Sequence, residues 1–296
     1  MEKSTIKFNR FRHNDNIWIR RLYFRYLHLR NLLHALISSP IVFVLRCLPT
    51  RISALIKSKL ELHTRMPYIL DLYVDVDADR DLRRAGFPVR EPETIEWIED
   101  CAKQGGVLYD VGANIGAVAL IYAANLSINS NANGCAFAFE PLPFTFERLC
   151  KNIFLNKLDK MVFPFQVPLS DHKGTDILFA NTIEAGSSGH TLASENNEYE
   201  KSFSLPVIAM TIDDLHDDLK FPSPDWLKID VDGHDYKVLL GARKLIKAGF
   251  IKSILIEKNN YEFEIKRFLE REGFFEVPFL RSGSDINLRF DRRQGE

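Results

Sequence analysis

Residues 107–116, Val-Leu-Tyr-Asp-Val-Gly-Ala-Asn-Ile-Gly, constrain this chain more than any other segment, because they join a buried strand to a glycine turn that opens a helix. A second apolar run, Cys135-Ala-Phe-Ala-Phe139, ends on a lone carboxylate, Glu140, with Pro141 behind it. An α/β sheet holds a nucleoside in this way. Gly112 lacks a Cβ and is expected to let a ligand approach the main chain, while Glu140 is placed to accept hydrogen bonds from both ribose hydroxyls. The glycine pattern is Asp110-x-Gly112-x-Asn114-x-Gly116, not the Gly-x-Gly-x-x-Gly that seats a pyrophosphate on a helix N-terminus. A nucleoside without a pyrophosphate fits better. S-adenosylmethionine is one, its ribose suiting Glu140 and its amino-acid part suiting a polar glycine turn.

The 296 residues suffice for one large α/β domain with a substantial core and an appended segment. The net charge of −1 predicts no partner, but its distribution is uneven. Residues 1–60 hold 12 Lys and Arg against Glu2 and Asp15, so this arm carries about +10 and the remainder about −11. Leucines and aromatics such as Trp18, Leu22, Tyr26 and Leu33 interleave the arginines at a spacing compatible with an amphipathic helix. Two partners suit such an arm: a protein surface, its own domain or a second copy in a homo-oligomer included, and an anionic membrane face. Leu32–Leu48 is interrupted by His34, Pro40 and Arg46 and is too short to span a bilayer comfortably. Cys47, Cys101, Cys135 and Cys150 show neither C-x-x-C pairing nor histidines at zinc spacing, which points to reduced thiols. With no recognisable signal peptide, the expected location is cytoplasmic, with peripheral membrane contact as the variant.

Three segments follow: a basic helical arm over 1–60, an N-terminal extension over 61–104 and a catalytic domain over 105–296. In the extension, Asp71, Asp75, Asp77, Asp79 and Asp81 lack the glycine and the twelfth-position glutamate of a calcium loop, and read as a strand or turn with a solvated acidic face. Glu91-Pro92-Glu93-Thr94 starts a helix through Cys101. From 107 onward the pattern predicts strands near 107–111, 135–139, 162–167, 226–230 and 253–257. Helices are predicted near 116–126, 142–156, 235–248 and 259–272, which implies a mainly parallel sheet. Two apolar runs around Ser282-Gly-Ser284 predict a closing antiparallel hairpin, and the polar stretch 180–204 reads as a long loop.

Asp110-Val-Gly-Ala-Asn-Ile-Gly116, Ala138-Phe-Glu-Pro141, Asn152-Ile-Phe-Leu-Asn156, Leu169-Ser-Asp171, Thr211-Ile-Asp-Asp-Leu215 and Leu227-Lys-Ile-Asp-Val-Asp-Gly-His-Asp235 follow one another as the motifs of FkbM-family methyltransferases do. The chain resembles that family over roughly 105–257. The resemblance implies a class I methyltransferase (Rossmann-like) α/β fold with a seven-stranded sheet. It also implies methyl transfer from S-adenosylmethionine, usually to a hydroxyl of a sugar, glycan or secondary metabolite. The family's usual Asp-x-Glu-Gly-x-Glu reads here Asp230-Val-Asp232-Gly-His234-Asp235, with both glutamates shortened.

On this reading Asp110, Gly112, Asn114 and Gly116 cradle the methionine part of the donor, Glu140 holds its ribose and Asp171 meets its adenine. Transfer to an aliphatic hydroxyl needs a positioned base, for which His234, Asp232, Asp230 and His190 are candidates. The bland alternative is that the acids cap the helix starting at Asp235 and His234 satisfies that turn. Asp230, Asp232 and Glu257 offer the oxygen ligands a divalent cation would take, but clustered acids do not establish coordination geometry, and no metal is expected. The expected partner is a small-molecule or glycan acceptor, not a nucleic acid, since the basic arm contains no recognised nucleic-acid module. Two further functions fit the motifs: N-methylation of an amino sugar or peptide, and a non-catalytic binding module.

Overall fold

The computed structural model describes residues 63–66, 72–75, 87–129, 133–180, 191–192, 203–280 and 286–293. The basic arm, most of the acidic stretch and His190 lie outside the described residues. A short antiparallel ribbon, β1 (His63–Arg65) and β2 (Tyr73–Asp75), precedes helices α1 (Phe87–Arg90) and α2 (Pro92–Gln104). The main sheet begins with β3 (Gly106–Val111), crosses by α3 (Ala117–Ile128) to β4 (Gly134–Phe139), and by α4 (Pro143–Leu155) to β5 (Val162–Phe165). A second, antiparallel sheet then intervenes, built from β6 (Gly174–Ala180), β7 (Thr191–Leu192) and β8 (Phe203–Ala209), and it leads into α5 (Ile212–Asp217). The main sheet resumes with β9 (Trp226–Ile229), α6 (Asp235–Leu240), α7 (Arg243–Lys247), β10 (Ser253–Glu257), α8 (Glu262–Arg271), β11 (Phe274–Glu276) and β12 (Asn287–Arg292).

Its strand order is β11-β12-β10-β9-β3-β4-β5. β3, β4, β5, β9 and β10 run parallel, and β12 inserts antiparallel between β10 and β11. The crossover after β3 leads one way along the sheet and that after β9 leads the other way. Right-handed crossovers therefore put their helices on opposite faces and open a crevice above the carboxyl ends of β3 and β9.

Strand alternation separates two cores. Leu108, Ala136, Ala138, Trp226 and Leu255 face one side and pack with Trp97 and Ile98 of α2, Leu120 of α3 and Leu149 of α4. Tyr109, Val111, Phe139, Leu227, Ile229, Ile254 and Ile256 face the other, under Val238 of α6, Leu245 of α7 and Leu269 of α8. Each such large side chain taken fully out of water contributes roughly 1.5–3 kcal/mol. The fully buried Trp97 satisfies its indole by donating to Ser253 Oγ at 2.8 Å. The alternation puts two polar residues on the first face in adjacent register, Asp110 of β3 opposite Lys228 of β9. Among the described residues, no helix is long and apolar enough to cross a membrane.

The expected strands and closing hairpin are present, and the helix expected over 235–248 is two helices. The break falls at Gly241 and Ala242, where a Cβ on Gly241 would stand 2.0 Å from the Ser170 carbonyl oxygen. A continuous row of ordinary side chains there would push the loop after β5 off the helix. Around the expected loop over 180–204, the structure shows the antiparallel pair β6 and β8, whose outward positions alternate weakly in hydropathy and gave no period-2 signal. The short helix α5 was likewise not predicted; its Thr211 caps it by accepting from Asp214 N. Gly241→Ala is expected to destabilise the protein by ~1–3 kcal/mol, the usual cost of overpacking. Urea denaturation checks this, and an unchanged midpoint would contradict the close approach.

Candidate active site

The turn after β3 is built from backbone that ordinary residues avoid. Gly112 has φ +78°, Asn114 +52° and Gly116 +91°. The amides of Gly112 and Ala113 both donate to the Phe139 carbonyl, 3.0 Å in each case, and Asn114 Oδ1 accepts from Ile115 N at 2.9 Å. Glu140 closes the turn from β4: Oε2 accepts from Asn114 N and Oε1 from Leu142 N, both at 2.9 Å. The carboxylate expected to meet a ribose therefore first fixes the loop beneath it.

At Gly112 a Cβ would lie 1.9 Å from the Asp230 carbonyl oxygen, so the missing side chain admits the neighbouring main chain of the β9 turn. Gly116 is similar, since its Cβ would sit 2.5 Å from Leu149 Cδ1 of α4. These glycines let secondary elements close on one another, and the crevice above them is a consequence.

Asp110 is fully buried at the end of β3. Its Oδ2 accepts from Ala119 N in the first turn of α3 at 3.2 Å, where the helix dipole favours an anion. Its Oδ1 is buried with no hydrogen-bond partner among the described residues. Burial raises this carboxyl to about 6, against the opposing pull of Lys228. Lys228 is itself buried, with only 3 % of its side chain exposed, and its Nζ bonds Asp230 Oδ2 at 2.8 Å. Burial alone would discharge the ammonium, but Asp230, Asp110 and Glu91 hold it charged and raise its pKa. Glu91, just before α2, is also buried and raised by desolvation. The sequence marked that residue only as part of a helix start.

Glu257 ends β10 beside Asp230. Its carboxyl is raised to about 8, first by desolvation and then by Asp230, Asp235 and Asp232. One buried ammonium thus serves several carboxyls, an excess of negative charge at the sheet edge. Among the described residues, no three His, Cys, Asp or Glu side chains converge as a metal site would require.

The turn after β9 divides the remaining expected residues. Asp232 has φ +51° and is exposed. Asp235 is fully buried and caps the turn, accepting from Val231 N and Gly233 N at 3.1 Å each and from Asn259 Nδ2 at 2.8 Å. His234 is 9 % exposed, and its Nε2 lies 3.0 Å from the oxygen of the buried Ser170 hydroxyl. Desolvation, followed by the nearby Lys237, lowers it to about 4, so the ring is neutral and weakly basic. Asp171 follows Ser170 at the surface; burial pushes its carboxyl up, but hydrogen bonds from His172 and Ser170 outweigh that and hold it below the usual range. Asp110, Gly112, Asn114, Gly116 and Glu140 thus form one turn, and Asp230, Asp232 and His234 form the facing one. Asp171 is linked to the second turn through Ser170, whose hydroxyl contacts both Asp171 and His234.

The strand order, the switch point between β3 and β9 and the acid ending β4 define a class I methyltransferase. The chain belongs to the FkbM methyltransferase family, since residues 110–278 match the methyltransferase FkbM domain. It is 30% identical over 217 residues to the hexuronic acid methyltransferase AglP of Haloferax volcanii, covering 73% of this chain and 80% of that protein. A crystal structure of methyltransferase FkbM from Methylobacillus flagellatus is 14% identical, with a TM-score of 0.43 over 73% of this chain; the match spans 56% of that chain, about half its length. The C-terminal domain of precorrin-6Y C5,15-methyltransferase from Rhodobacter capsulatus is 15% identical, with a TM-score of 0.37 over 74% of this chain and 93% of that one. The family's donor is S-adenosylmethionine, and the residues present suit it: the buried, unpartnered Asp110 Oδ1 offers an acceptor to an ammonium, and the acid excess favours a cationic ligand.

Replacing Lys228 by Met should cost ~3–5 kcal/mol, because the buried carboxyls lose their counter-charge. Acids whose folded pKa stands above the unfolded value contribute stability that fades as pH rises. The deficit should therefore be larger at about pH 8 than at about pH 5. Urea titrations at both pH values measure it, and a pH-independent deficit would refute the charge account.

Proposed function

We propose that the protein methylates a hydroxyl of a sugar, the acceptor being a pyranose in a small molecule or glycan. The observation that carries this is the carboxyl of Glu257, poised at the sheet edge beside Asp230 with a raised pKa and, among the described residues, no hydrogen-bond or ion-pair partner. The hexuronic acid named for the relative from Haloferax volcanii supports a sugar as acceptor class.

When bound, S-adenosylmethionine supplies an electrophilic methyl carbon, whose bond to sulfur breaks as the bond to the acceptor oxygen forms. Asp110 would hold its ammonium, Glu140 its ribose, and the stretch at Ser170 and Asp171 its adenine end. A sugar hydroxyl is a weak nucleophile, and removing its proton in the transition state contributes ~10²–10⁴-fold. Glu257 is the proposed base, accepting that proton on its carboxylate, because its pKa lies near working pH. Asp230, paired with Lys228, orients the acceptor hydroxyl, and the exposed Asp232 lies within the same acidic field. His234 serves better as a latch between the turn and Ser170 than as the base, since a ring lowered to about 4 is a poor proton acceptor. His190 lies outside the described residues. We place the reaction in the cytoplasm, where the donor is made.

Titration calorimetry with S-adenosylhomocysteine should show stoichiometric binding, and its absence from folded protein would overturn the donor site. Glu257→Gln should lower kcat by about 10²–10⁴ while leaving that affinity within a few-fold. In the parent protein kcat/KM for the acceptor should rise with pH through about 8 as Glu257 deprotonates, and this limb should vanish in the variant. A preserved limb would assign the base elsewhere.

A further inference from the structure

Tyr236 and Tyr261 stand together at the rim of the acidic turn. Their rings are stacked, with centroids 5.8 Å apart and planes 18° from parallel. Tyr236 is the second residue of α6, directly after the turn that carries Asp232 and His234. Tyr261 precedes α8, four residues after Glu257, and is 47 % exposed. Asn259 fixes the two elements to each other: its Nδ2 donates to Asp235 Oδ2 at 2.8 Å and its Oδ1 accepts from Tyr261 N at 2.8 Å. The ring pair is therefore set against the β9 turn that carries Asp232, with Tyr261 four residues along the chain from Glu257 at the end of β10.

Tyr261 stacks one face on Tyr236 and, being half-exposed, leaves ring surface open to a ligand. The negative face of an aromatic ring attracts weakly positive C–H groups, and a pyranose presents several of these on one side. Ligand sites typically combine such apolar platforms with a few convergent polar groups. Here the polar groups are Glu257, Asp230 and Asp232.

We infer that Tyr261, backed by Tyr236, is a stacking subsite for the acceptor's pyranose ring and orients the hydroxyl to be methylated toward Glu257. The inference rests on the sugar-hydroxyl reading given above and extends it to a binding surface that determines acceptor specificity. A ring held face-on to the platform turns its edge, and so one hydroxyl, toward the sheet. Positioning of this kind separates one hydroxyl from its neighbours, because small misplacements cost large factors in rate.

The test uses the full-length protein saturated with S-adenosylhomocysteine, with methyl glucuronide and methyl glucoside as probes in saturation-transfer NMR. The sugar C–H protons should receive saturation in the parent protein, lose it in Tyr261→Ala and regain it in Tyr261→Trp. In turnover, Tyr261→Ala should raise the acceptor KM about five- to tenfold, with the affinity for S-adenosylhomocysteine unchanged. Unchanged saturation and KM in Tyr261→Ala would overturn the subsite alone. Parent protein that binds S-adenosylhomocysteine but shows neither saturation transfer nor turnover with either pyranoside would overturn the sugar reading, and the subsite with it.

Discussion

The site depends on one buried ammonium. Lys228 lies in β9 at the centre of the sheet, where a hydrophobic side chain would ordinarily pack, and Asp110 lies opposite it in the neighbouring strand. Neither charge is tolerable there alone, and the pair becomes so through Asp230, whose carboxylate bonds the ammonium directly. That arrangement ties together the carboxyl ends of the two strands flanking the switch point. The close backbone approach at Gly112 locks the same two elements, so charge and packing act at one place. Because acids exceed ammonium groups, Glu257 is left with a carboxyl that resists ionisation.

The two halves of the crevice differ in how they are stiffened. On the β3 side, Glu140 and the helix dipole of α3 hold the turn through main-chain amides. On the β9 side, the turn is capped by Asp235 and latched through His234 to Ser170, in the loop that follows β5. The shortened side chain of Asp235 suffices for its task, because both of its oxygens bond groups of the turn and of Asn259. The departure from the family's longer glutamate thus leaves the turn intact. Asp232 is exposed in a left-handed conformation.

Much of this was legible in the sequence. Mostly apolar runs such as Leu108–Val111 and Trp226–Ile229 are buried on both faces and carry a strong signal, and the acids at strand ends marked the sheet edge. The motif series fixed the family. Other features were not legible because they depend on contacts between distant segments. The close approaches of the Asp230 carbonyl to Gly112 and of the Ser170 carbonyl to Gly241 cannot be read from the local sequence. The burial of His234 and its contact with Ser170, and the cluster of acids around Glu257, appear only once distant segments are brought together. The aromatic pair at residues 236 and 261 leaves no local pattern, since one member lies in α6 and the other just before α8.

The most direct test of the central claim is to incubate the protein with carbon-13 methyl-labelled S-adenosylmethionine and a panel of methyl hexuronides and hexosides, and to locate the label by two-dimensional NMR. The account predicts a single labelled methyl ether, on one ring hydroxyl of one class of pyranoside. Label on nitrogen, or no transfer to any sugar from protein that binds the donor, would contradict it.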